Sequence, residues 1–151
     1  MTPATEPIAE TPAELRSMRD LYERYGAAWA VRDAETIASF HAEDGIFHLH
    51  AAADAVRGRD AIRGAFAGFI AQVPDIAFAE QEASLGGWGW VVRWTMSGTL
   101  AQPLEMAGGR AEPGGRFEVD ALDAITVVDG ELTAKHTYVD AVTLFEQVGL
   151  A

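Results

Sequence analysis

The chain has 151 residues, 49% of them apolar, with 11 Lys and Arg against 23 Asp and Glu for a formal charge of −12. That length supports one hydrophobic core and is short for two ordinary domains, and the negative charge repels phosphate backbones and anionic lipid surfaces, so neither nucleic acid nor a membrane is an expected partner. The absence of cysteine from the sequence removes disulfides, thiolate metal sites, iron–sulfur clusters and cysteine nucleophiles.

No apolar run reaches the roughly 18 residues a membrane span requires. Met1 to Glu10 has neither a basic start nor an apolar signal core, so a cytoplasmic location is expected. Residues 1–10 hold two prolines and two threonines without periodicity and read as a loose tail ahead of a single domain over 11–151. Thr11-Pro12-Ala13-Glu14 reads as a capping box that opens a helix running to about Val31. Leu15, Met18, Tyr22, Tyr25 and Trp29 form its apolar stripe. Asp33 is placed to cap a short second helix with Ile37 and Phe40 inward, ending near the Glu43-Asp44-Gly45 turn.

Ile46 to His50 reads as a short strand, and Ile62, Phe66, Phe69, Ile70 and Val73 mark a third amphipathic helix closed by Pro74. Four strands follow: Ile76 to Leu85, Trp88 to Leu100, Arg116 to Val128 and Glu131 to Asp140. Asp129-Gly130 is a type I′ hairpin signal between the last two. The Gly- and Pro-rich stretch from Ala101 to Gly115 reads as a long loop, a candidate lid or partner contact, and Ala141 to Val148 as a last short helix. Helices first and long strands afterwards predict an α+β fold. The expected antiparallel sheet is curved and closed on its concave side by the three N-terminal helices around a pocket. The sheet's outer face leads to the expectation of a homodimer formed through it.

The order of elements and several local motifs resemble the SnoaL-like polyketide cyclases of the nuclear-transport-factor-2-like superfamily, whose relatives include ketosteroid isomerases, scytalone dehydratases and limonene epoxide hydrolases. The resemblance rests on Arg24-Tyr25-Gly26-Ala27-Ala28-Trp29 ahead of Asp33, Gly58-Arg59-Asp60-Ala61-Ile62, and Val91-Val92-Arg93-Trp94 running to Gly98-Thr99. It continues through Val119-Asp120-Ala121-Leu122-Asp123, Asp129-Gly130-Glu131-Leu132, Tyr138-Val139-Asp140 and Gln147-Val148-Gly149. It covers nearly the whole chain from Thr11. What it implies is a small enzyme without metal or organic cofactor, or a ligand-binding or dimerisation domain on the same scaffold, because this fold serves both.

Matched by motif, Tyr25 takes the place of the isomerases' oxyanion-hole tyrosine and Asp123 that of its carboxylic-acid partner. Asp123 sits among Ala121, Leu122, Ala124 and Ile125, where burial favours a neutral acid able to donate to a developing oxyanion. Ketosteroid isomerase is the standard example of that effect, and the resemblance implies it at Asp123. The other reading is that Tyr25 only packs and Asp123 bonds a neighbouring donor. The resemblance places the isomerases' proton-shuttling carboxylate at Leu49 and the cyclases' catalytic aspartate at Thr137, so both stations for a base are empty. Either Asp123 is ionised and is itself the base, or another residue serves, or there is no proton chemistry.

His48 and His50, two apart on a strand, share one face opposite Phe47 and Leu49. No third metal ligand emerges from spacing, so solvated or interfacial histidines are expected and no metal. Trp88, Trp90, Val92, Trp94 and Met96 alternate with smaller or charged residues, predicting an aromatic pocket face with Arg93 outward. Lys135, Thr137 and Val139 share pocket-facing parity by the resemblance, with Lys135, the single lysine of the sequence, expected at the surface by the cavity mouth. Phe47, Leu49, Trp90, Trp94, Thr137 and Val139 are the expected lining for a hydrophobic carbonyl ligand, polyketide-like or steroid-like. Such a ligand would be enolised toward cyclisation, isomerisation or dehydration.

Overall fold

The computed structural model describes residues 11–106 and 109–149, so the expected tail over residues 1–10 lies outside the described residues. Helix α1, Pro12–Ala30, opens on the expected capping box: the Thr11 hydroxyl accepts from the Glu14 amide at 3.1 Å, and the Glu14 carboxylate accepts from the Thr11 amide at 2.8 Å. Met18, Leu21, Tyr22, Tyr25, Ala28 and Trp29 are its buried face. Leu15, one turn from the helix start, lies short of the core and is exposed.

Asp33 caps helix α2, Ala34–Ser39, by accepting from the Glu35 and Thr36 amides. Strand β1, His41–Leu49, starts at His41 and not at Ile46, because the Glu43-Asp44-Gly45 stretch is a register irregularity carried on the strand, not a turn. Gly45 fits there because a Cβ would stand 3.1 Å from the Ala42 carbonyl and 3.2 Å from that of Leu132. A two-residue strand β2, Val56–Arg57, precedes helix α3, Arg59–Gln72, whose Ile62 and Phe66 are buried.

The remaining strands are β3, Ala77–Gly86; β4, Gly89–Thr99; β5, Leu104–Met106; β6, Gly109–Ala111; β7, Arg116–Val128; and β8, Glu131–Val139, followed by helix α4, Ala141–Val148. Asp129 and Gly130 join β7 to β8 with φ of 50° and 77°, the left-handed pair a type I′ turn needs. The stretch from Ala101 to Gly115 is not a structureless loop: β5 and β6 pair antiparallel within it and bury Met106 and Ala111. Three-residue strands are too short to show alternation in the sequence.

Six strands form one open sheet in the order β2-β1-β8-β7-β4-β3. The expectation of an antiparallel sheet holds for four of its five pairings, while β1 and β8 run parallel. Helix α1 packs on β3, α3 on β1 and α4 on β7, leaving space between the helices and the inner sheet face. One apolar cluster joins α1, α3 and the middle of the sheet around Tyr25, Phe66 and Trp90. A second joins β4, β7, the β5–β6 pair and α4 around Met96, Phe117 and Leu144. Among the described residues no helix is long and apolar enough to cross a membrane.

Candidate functional site

Two neighbouring cavities open on the inner face of the sheet. The larger, about 300 Å³, is walled by Phe47 and Leu49 of β1, Phe66 and Phe69 of α3, Trp94 of β4, and Leu104 and Met106 of β5. The smaller, about 250 Å³, lies against α1 and is walled by Tyr22, Tyr25, Gly26 and Trp90. Asp123 and Lys135 line both, so the two charges stand at the boundary between them.

Register brings this cluster together. On β8, Lys135 and Thr137 are two apart and face inward, and Asp123 of β7 pairs with Thr137 and lies diagonal to Lys135. Thr137 Oγ1 donates to Asp123 Oδ1 at 2.5 Å, Trp94 Nε1 donates to Oδ2 at 3.0 Å, and Lys135 Nζ reaches Oδ2 at 3.5 Å. Trp94 Nε1 and Lys135 Nζ can only donate, so Asp123 Oδ2 is an acceptor toward both. The third arm of this cradle, Trp94, comes from the aromatic face of β4.

Lys135 corrects the expectation of a surface lysine at a cavity mouth. It is 6% exposed, and its ammonium lies 5.1 Å from the ring centres of Tyr25 and Trp29 and 5.8 Å from that of Phe66. Burial pulls its pKa down, but the Asp123 carboxylate and the Tyr25 oxygen more than offset this and hold it above the usual lysine value.

Tyr25 is buried, with its hydroxyl 2.9 Å from His41 Nε2, and burial is the main cause that pushes its pKa up. It lines the smaller cavity with Asp123 and Lys135 and not the larger one, and its hydroxyl is engaged with His41. His41 was not among the expected site residues. It is fully buried, and burial first, then Lys135 and Arg59, lowers its pKa to about 3, which leaves the imidazole neutral near pH 7. Its Nδ1 and Trp29 Nε1 have no hydrogen-bond partner among the described residues. No sequence signal marked His41, since its burial follows from the early start of β1.

Phe47, Leu49, Thr137, Val139 and Trp94 all line the larger cavity. Trp90 lines only the smaller one, edge-on to Tyr22 at 5.4 Å. Trp88 precedes β4 and is exposed, and Arg93 points outward toward Glu82 at 3.9 Å. His48 of β1 and His50, the residue just after the strand, cluster with His136 of the parallel partner β8, the third imidazole that spacing along one strand did not reveal.

Residues 19–148 match the family of SnoaL-like polyketide cyclases. The chain belongs to that family. Among solved structures it is similar to a hypothetical protein of ketosteroid isomerase-like fold from Catenulispora acidiphila, with 19% identity and a TM-score of 0.72 over 87% of this chain and 94% of that one. TsrD from Streptomyces laurentii shares 24% identity with a TM-score of 0.70, covering 89% of this chain and 96% of its own. A protein described as a SnoaL-like polyketide cyclase from Jannaschia shares 19% identity with a TM-score of 0.70 over 95% of both chains. No curated protein matches. Among the described residues of this SnoaL-like chain the carboxylates on the larger cavity are Asp123 and the exposed Asp54, and of these Asp123 is buried against a cation.

Proposed function

We propose that this SnoaL-like protein enolises an apolar carbonyl compound, polyketide-like or steroid-like, as the proton-transfer step of a cyclisation, isomerisation or dehydration. The observation that carries the reading is the Asp123–Lys135 pair, 3.5 Å apart and buried at the wall of an apolar cavity. Asp123 is the base that the stations at Leu49 and Thr137 lack. It takes the proton from the carbon next to the ligand's carbonyl, and the electron pair of that C–H bond moves onto the carbonyl oxygen as an enolate. Lys135 Nζ neutralises the charge there. One negative charge faces the ammonium before and after the transfer, so the low-dielectric site never holds an unpaired ion. Asp123 then returns the proton to a different carbon in an isomerisation. In a cyclisation the enolate carbon attacks a second carbonyl and the new alkoxide takes the proton from Asp123. In a dehydration the enolate expels the β-hydroxyl, which leaves as water with that proton.

Thr137 and Trp94 hold the carboxylate by donating to it. Tyr25, bonded to His41, is a positioning residue beneath Lys135. The test is hydrogen–deuterium exchange at the acidic carbon of 2-tetralone in D₂O, followed by NMR. Asp123→Asn is expected to slow exchange by about 10² to 10⁴, and exchange at the wild-type rate in that variant overturns the assignment. Saturable binding without exchange in the wild-type chain makes the protein a ligand-binding domain on the same scaffold.

A further inference from the structure

We propose that His48, His50 and His136 form a binding site for a divalent late transition-metal ion, zinc foremost, on the outer face of the sheet. This is independent of the enolisation reading, because the three rings lie on the other side of β1 and β8 from Asp123 and Lys135. His48 lies on β1 and His50 directly follows the strand, with the two ring centres 3.7 Å apart, and the parallel register sets His48 directly beside His136. One ligand nitrogen from each imidazole falls within 4.8 Å of the other two, and His50 Nε2 is 3.0 Å from His136 Nδ1. A tetrahedral zinc with nitrogens at about 2.0–2.1 Å needs them about 3.3 Å apart. Small rotations of half-buried rings supply that change.

The surroundings favour an ion. His136 has Ala124 beside it on β7 and Ala134 two positions before it on β8, so no bulky side chain from those positions crowds the rings. Tyr138 stacks on His50 with ring centres 4.1 Å apart and planes 9° from parallel, which fixes the orientation of one ligand. Three imidazoles without a thiolate or carboxylate in the set select zinc, copper or nickel over magnesium or calcium. The formal charge of −12 raises the local concentration of cations. Three ligands leave a fourth position, which water fills.

The experiment uses the tag-free full chain, stripped with chelator and titrated with ZnCl₂ by calorimetry, with CoCl₂ as the spectroscopic probe. The expected result is one ion per chain, a tetrahedral cobalt spectrum, and affinity reduced by more than about tenfold in His136→Asn and in His48→Ala, since even groups that only support a ligand are worth that much. Asp44→Asn, which removes an exposed carboxylate away from the cluster, leaves affinity unchanged. Weak multi-site binding that the histidine variants do not alter, or one ion shared by two chains, overturns the proposal. Should a histidine variant unfold by circular dichroism, the cobalt spectrum and cobalt-shifted imidazole NMR signals of the wild-type chain decide. An octahedral spectrum or the absence of shifted imidazole protons then rejects it.

Discussion

Asp123 Oδ2 and Lys135 Nζ face each other across 3.5 Å with side chains 9% and 7% exposed. Removing two such charges from water costs several kcal/mol per ion, and their attraction returns this only with good supporting hydrogen bonds. Thr137 and Trp94 supply those bonds to the carboxylate, and three aromatic rings surround the ammonium. Well-packed apolar residues of similar volume often stabilise a fold as well as such a pair does.

Breaking the pair on one side should therefore be worse than removing it. Lys135→Met leaves the Asp123 carboxylate buried without its cation and is expected to cost about 3–5 kcal/mol in urea unfolding. The double variant Asp123→Leu with Lys135→Met should regain most of that loss while abolishing proton exchange. A double variant no more stable than the single one would show that the pair is a net contributor to the fold.

His41 gives the protein an acid-side weakness. Its folded pKa, about 3, lies below the 6.5 of a free imidazole because burial, Lys135 and Arg59 all oppose its charging. Below pH 6.5 the unfolded chain takes up a proton that the folded chain refuses, so stability falls as pH drops from about 6.5 toward about 3. Between pH 7 and pH 5 this amounts to about 2 kcal/mol. His50, also lowered, acts in the same direction but is present in both chains of the comparison. Unfolding of His41→Gln should show a shallower pH dependence over that interval, and an unchanged slope would place the acid sensitivity elsewhere.

The elements with long, regular patterns were legible. The spans Arg116–Val128 and Ala141–Val148 and the Asp129-Gly130 turn agree with the sequence reading to the residue. What alternation along single strands could not carry was contact between strands. Lys135 looked like a surface lysine until the β7–β8 register set it diagonal to Asp123, and His136 joined His48 and His50 only through the parallel β1–β8 pairing. The lining residues Phe47, Leu49, Thr137 and Val139 were readable because strand parity and the family resemblance agree on them. His41 and the β5–β6 pair were not, since an irregular strand and three-residue strands have no periodicity to read.

Gly89 is expected to be among the least replaceable residues in the sheet. Its φ is +139°, and a Cβ would stand 2.0 Å from the Ile125 carbonyl oxygen, a backbone atom that cannot rotate away. Gly89→Ala should thus disturb the start of β4 against β7, where Trp90 and Ile125 pair. A loss of at least about 2 kcal/mol is expected from backbone strain and forced separation together. A thermal or urea midpoint equal to wild type would mean that the β4–β7 end relaxes freely.

The two cavities can be told apart by filling each in turn. Ala121 of β7 lines the larger cavity and is 5% exposed, with space in front of it. Gly26 of α1 lines the smaller one, and a Cβ there would meet nothing within 4 Å. Ala121→Leu is expected to change stability by less than about 1.5 kcal/mol, because it grows into empty volume and not into packed atoms. Gly26→Leu should gain up to about 1 kcal/mol from helix propensity alone. If the carbonyl ligand sits between Phe47, Leu49 and Asp123, the first substitution suppresses 2-tetralone exchange by more than tenfold and the second leaves it near wild type. The reverse pattern would move the reaction to the Tyr25 side of Lys135, where the phenol bonded to His41 would become the group nearest the enolate.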